Sequence, residues 1–143
     1  MTKIKKPSFR TGKIPPKALV AQIDPDKIKY PVFSFLHVSE SHCLLSEWQA
    51  SEIDELIDTL KTIEQIEWDR IWVHKGLDVT KIPVSRLSIP LPTYVSEDET
   101  IYEFSVCSRK RIFGYRTNHN VLRIIWFDRE HRVVPYRKNR KAR

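Results

Sequence analysis

The chain has 143 residues, 41% of them hydrophobic and 30% charged, enough for one domain with a real core. Its longest runs of large apolar residues are four long, and a bilayer-spanning helix needs about 20, so such a helix is excluded. The net charge of +7 divides into +6 on residues 1–30, −9 on residues 31–108 and +10 on residues 109–143. Basic ends of this kind suit a polyanion such as RNA or DNA, or they only keep the chain in solution.

In chain order, residues 1–30 form a basic arm containing Pro7, Pro15, Pro16 and Pro25. Proline removes a donor and fixes φ, so an extended or disordered arm is expected. Its start, MTKIKKPSFRTGKIPP, lacks the apolar centre of a signal peptide, which predicts a cytoplasmic protein. One domain is expected over residues 31–136, followed by a basic tail over 137–143.

In YPVFSFLHV, Val32, Ser34, Leu36 and Val38 alternate with Phe33, Phe35 and His37, which predicts a strand over 32–38. Residues 46–75 carry Ile53, Leu56, Ile57, Leu60 and Ile63 at helical spacing, then a shorter stripe of Trp68, Ile71 and Trp72. The pattern predicts two helices bent near Glu64–Glu67, or one kinked helix, opened by a Ser46–Gln49 capping box and ended by Gly76. Glu52 and Glu55 read as a solvated helix face, and all four tryptophans as core. Pro83, Pro90 and Pro92 exclude a long helix over 77–100 and leave a surface loop or an edge strand.

The pattern then turns to β. IYEFSVCS sets Tyr102, Phe104 and Val106 on one face, RKRIFGYR follows, and Asn118-His119-Asn120 is a turn signal. VLRIIWF is apolar on both faces except at Arg123, which marks a central strand. HRVVPY is a further short strand candidate. The predicted class is α+β: an N-terminal strand, a helix pair, then an antiparallel meander of three or four strands with the helices on one face.

Few chemical motifs are present. Gly12, Gly76 and Gly114 form no phosphate-binding loop, and there is no GxSxG. Cys43 and Cys107 read as reduced thiols. His37, His42 and Cys43 lack a second ligand pair, so neither metal nor cofactor is expected. The polar cluster Asp128-Arg129-Glu130-His131-Arg132 directly after IIWF is either a reactive site or the turn that ends a strand. Asp128 either orients the His131 imidazole or caps that turn. Arg111 is either functional or an edge arginine paired with a helix acid.

The element order, with SRKRIFGYR, the turn and then IIWFDREHRVVPYRK, resembles the RelE/ParE-type toxin superfamily. The resemblance spans roughly residues 31–138. It implies a RelE-like fold and metal-free cleavage of RNA, in which the ribose 2′-hydroxyl attacks its own phosphate. Arginine would hold the phosphate, through Arg109 and Arg111, and His131 would transfer protons with support from Tyr136 or Lys138. Arg116, Arg132, Arg137, Lys138, Arg140 and Lys141 would extend the RNA contact. The implied partners are RNA or the ribosome, and a cognate antitoxin. The alternative is a non-enzymatic module of a phage or mobile element that binds nucleic acid or protein.

Overall fold

The computed structural model describes residues 29–135. The N-terminal arm up to residue 28 and the tail from residue 136 lie outside the described residues, and with them Tyr136, Arg137, Lys138, Arg140 and Lys141.

Five strands form one sheet: β1 (Val32–Ser34), β2 (Thr80–Ile82), β3 (Ile101–Ser105), β4 (Arg111–Arg116) and β5 (Val121–Asp128). Their order across the sheet is β1-β5-β4-β3-β2. The meander β3-β4-β5 is antiparallel as expected, and β2 adds to it antiparallel at one edge. β1 lies parallel to β5 at the other edge, with Phe33 opposite Leu122, so the sheet is mixed. The class is α+β, as the sequence pattern predicts.

Helix α1 (Ala50–Glu64) supplies the long amphipathic element. Gln49 is its N-cap, and the Glu52 carboxylate accepts a hydrogen bond from the Gln49 N–H at 2.9 Å. The cap therefore lies one turn later than the Ser46–Gln49 pair suggested. Residues 46–75 are not helical throughout: Glu67 is extended (φ −62°, ψ 147°), and Trp68–Val73 continue as a separate 3-10 segment. Two contacts hold that break. The Trp68 backbone N–H donates to the Lys29 carbonyl at 2.8 Å, and its indole N–H donates to the Asn120 carbonyl at 2.9 Å.

The sheet is buried on both faces. Leu56 and Ile63 of α1, with Trp68 and Ile71, pack on Tyr102, Phe104, Ile112, Leu122, Ile124 and Phe127. The opposite face, with Ile82, Ile101, Phe113, Tyr115, Ile125 and Trp126, is covered by Val84, Leu87, Ile89, Leu91 and Val95 and by Val133 and Val134. The proline-containing loop is thus a second covering layer. Its Ser88 N–H donates to the Val133 carbonyl at 2.8 Å.

This second layer explains IIWF. A bulge shifts the register from Phe113 opposite Trp126 to Gly114 opposite Ile124, so Ile125 has no partner on β4. Ile125 and its neighbour Trp126 both enter the loop-side core, while Ile124 and Phe127 enter the helix-side core. The bulge presses the strands together at Gly114, where an added Cβ would overlap the Arg123 carbonyl oxygen and stand 3.1 Å from its carbon.

Three further expectations are corrected. The first strand stops at Ser34, because the chain folds back locally, with the Val38 N–H donating to the Phe35 carbonyl at 3.2 Å, and Phe35 and Leu36 are left exposed. The described part of HRVVPY, residues 131–135, forms no strand. Val133 and Val134 are buried in the loop-side core without joining the sheet. Trp48, Trp68 and Trp126 are core residues, but Trp72 is 39% exposed. Among the described residues no helix is long and apolar enough to cross a membrane.

Candidate catalytic pocket

The pocket begins with the turn that follows β5. Asp128 is fully buried at the strand end. One carboxylate oxygen accepts the Arg132 N–H at 2.9 Å, and the other accepts the Val133 N–H at 2.8 Å. Of the two roles open to Asp128, capping the turn is the one these bonds perform. The Cys43 thiol points at the same carboxylate at 3.7 Å, and burial together with that negative charge pushes its pKa up to about 12. Cys43 is therefore a protonated structural thiol at neutral pH.

The capped turn sends the chain back along the sheet. His131 sits in it with φ 64°, a left-handed conformation that histidine adopts more readily than bulky residues do. Its side chain is only 9% exposed. Its Nε2 lies 3.9 Å from Glu103 Oε2. Arg111 Nε lies 3.4 Å from the same oxygen. Two of the candidate residues thus converge on a third group.

The alternation of β3 explains that third group. Ile101 faces the loop-side core, and Glu103, two residues on, shares its face of the sheet. Ser105 stands opposite Arg111 in the register, so Glu103 and Arg111 are diagonal neighbours. Arg111 is held from behind, its Nη1 donating to the Ser108 and Lys110 carbonyls at 2.8 and 2.9 Å. A cavity of about 200 Å³ opens here, lined by Asp78, Thr80, Arg86, Glu103, Arg111 and His131 among others. Burial raises the pKa of Glu103, while Arg111, His131 and Arg86 pull it down and Asp78 adds to the rise. The pocket therefore holds two arginines, an imidazole and a carboxyl group displaced toward its neutral form. That mixture can bind an anion and move protons within one small space.

The other basic candidates lie elsewhere. Arg109 is exposed and pairs with Glu130. Arg132 Nη2 pairs with Glu47 at 2.8 Å. Arg116 donates to Asn120 Oδ1 at 3.0 Å, and its guanidinium lies 4.4 Å from the Trp68 ring centre. Arg123 donates to the Ser34 hydroxyl at 3.2 Å. Arg129 grips Glu52 at two points, 2.7 and 3.0 Å, and Lys110 meets Glu55 at 3.1 Å. Glu52 and Glu55 are therefore ion-paired, not simply a solvated face. The Arg129 grip and the Gln49 N–H hold the Glu52 pKa down to about 2. His37 hydrogen-bonds the Tyr115 hydroxyl at 2.7 Å, beside the Tyr94 ring.

Comparison with protein-family models, with curated proteins and with solved structures finds no match for this chain.

Sequence reading misses Glu103 and Arg86. Glu103 had a usable signal, since it is the one acid inside the apolar run IYEFSV. Arg86, between prolines in a loop, had none.

Proposed function

We propose that this pocket cleaves RNA in the manner the RelE-type resemblance implies. The observation that carries the reading is the meeting of Arg111, from β4, and His131, from the turn after β5, at one oxygen of Glu103. In this reading Arg111 and Arg86 hold the non-bridging oxygens of a phosphodiester, where a guanidinium fork suits the charge that builds in the transition state. Glu103, ionised, takes the proton from the 2′-hydroxyl as that oxygen bonds to phosphorus. His131, protonated, gives a proton to the 5′-oxygen as the P–O5′ bond breaks. The products are a 2′,3′-cyclic phosphate and a free 5′-hydroxyl, and no metal takes part in these steps. RNA on the ribosome is the substrate this reading favours, with a cognate antitoxin as regulator.

The test is cleavage of end-labelled RNA, free and ribosome-bound, in the presence of EDTA. Wild-type protein should give cyclic-phosphate ends. His131→Asn, Glu103→Gln and Arg111→Lys should each slow cleavage by about 10²-fold or more, with circular dichroism unchanged. A folded wild type that cleaves neither substrate overturns the reading, as does full activity in His131→Asn.

A further inference from the structure

We propose that Trp72 and Lys81 form a base-stacking subsite for single-stranded RNA at the β2 edge, beside the pocket. The substrate class rests on the RNA reading above; the subsite rests on different residues. Trp72 is 39% exposed, whereas Trp48, Trp68 and Trp126 are 6%, 2% and 0% exposed. Of the four indoles, that of Trp72 is therefore the one a ligand can reach. Its ring is fixed in place, 5.3 Å from the Tyr102 ring at 41°, so it forms a preset platform. The Lys81 ammonium lies over the Trp72 ring, 5.2 Å from its centre, so a stacking base takes its place there and the cation moves to the phosphate. A flat aromatic surface with an adjacent cation is what a base and its phosphate require, and every base has a π-face.

The strand geometry connects this platform to the pocket. β2 has only three residues and is the edge of the sheet, paired with β3 alone. Lys81 stands opposite Tyr102, whose ring packs in the helix-side core, while Thr80 stands opposite Glu103. Thr80, Ile82 and Glu103 line the pocket. This short strand therefore carries Lys81, the neighbour of Trp72, on one face and a pocket wall on the other. A strand of RNA with a phosphate in the pocket passes around this edge and brings a neighbouring base over Trp72. A duplex cannot do so, because its bases are already stacked and paired.

The test is titration of the full chain with a single-stranded 2′-O-methyl RNA oligonucleotide, which lacks the attacking hydroxyl and is not cleaved. Tryptophan emission is the readout. Saturable quenching is expected, absent with a duplex of the same sequence, and lost in Trp72→Phe because the other three indoles are buried. Trp72→Ala should weaken binding about tenfold, and Lys81→Ala should lower the log–log salt slope by about 0.7. Should Trp72→Ala fail to fold, Trp72→Phe and Lys81→Ala carry the comparison. Unchanged quenching in Trp72→Phe, or equal binding of the duplex, overturns the subsite. Those results leave the pocket reading standing if His131→Asn still blocks cleavage of ordinary RNA. Trp72-dependent quenching by a protein that cleaves no RNA does the reverse: the subsite survives and the cleavage reading falls.

Discussion

Five consecutive residues, Asp128 to Arg132, contain two kinds of polar group. Asp128, Arg129 and Arg132 bind the molecule to itself. Asp128 caps the turn, Arg129 grips Glu52 of α1, and Arg132 reaches Glu47 just before that helix. His131, between them in sequence, turns the other way and meets Glu103 and Arg111 across a cavity. The difference lies in what surrounds each group. The first group has its charge matched by acids or backbone donors from its own chain. In the pocket, Glu103 lies between Arg111 and His131, and a cavity stands beside them. Polar residues of one short run therefore predict opposite mutant behaviour: loss of stability on one side, loss of chemistry on the other.

The largest effect should come from Asp128→Ala. It strands the buried Val133 N–H and the half-buried Arg132 N–H, which now bond the Asp128 carboxylate, and should cost about 3–5 kcal/mol in urea unfolding. A loss under about 1 kcal/mol would show that water replaces the cap. Next, His131→Asn retains a residue that tolerates φ 64°. It should stay folded while losing about 10²-fold in cleavage rate, or roughly 2.7 kcal/mol of transition-state stabilisation. Unfolding instead would place His131 with Asp128.

The Arg129–Glu52 grip can be read by pH. Glu52 falls from an ordinary 4.5 to about 2 on folding, so its contribution is present above 4.5 and fades as pH drops toward 2. Glu52→Gln should therefore lower the melting temperature at pH 7, and the gap from wild type should close between pH 4.5 and pH 2. A constant gap would assign the effect to packing. Smallest of all, Arg132→Ala breaks a half-exposed pair with Glu47. It should shift stability by about 0–1 kcal/mol and leave the salt dependence of RNA binding unchanged. A drop in that slope would return Arg132 to the RNA contact.

The charge pattern changes meaning once these pairs are known. Four cations of the segment 109–135, Lys110, Arg111, Arg129 and Arg132, meet acids of the acidic middle. Among the described residues, part of the contrast between basic end and acidic middle is thus internal complementarity, which no count of charges along a chain can separate from a nucleic-acid footprint. Composition predicts the sign of a region but not its partner.

Periodicity by itself determined the α+β class, the amphipathic helix, the Asn118–Asn120 turn and the antiparallel meander, because each follows from contacts near in sequence and from a repeat of two or 3.6 residues. It also indicated that IIWF is buried on both sides. Only the tertiary structure decided what covers the second face, since a proline-containing loop shows no period, and its apolar residues gain meaning only from the sheet beneath them. The site followed the same division. His131 and Arg111 were legible as candidates from residue type and place in the chain. Their meeting at Glu103 depended on strand register, on the Asp128 cap and on a left-handed backbone at His131. Those are distances between residues 8 to 28 positions apart, set by packing and invisible to any local pattern.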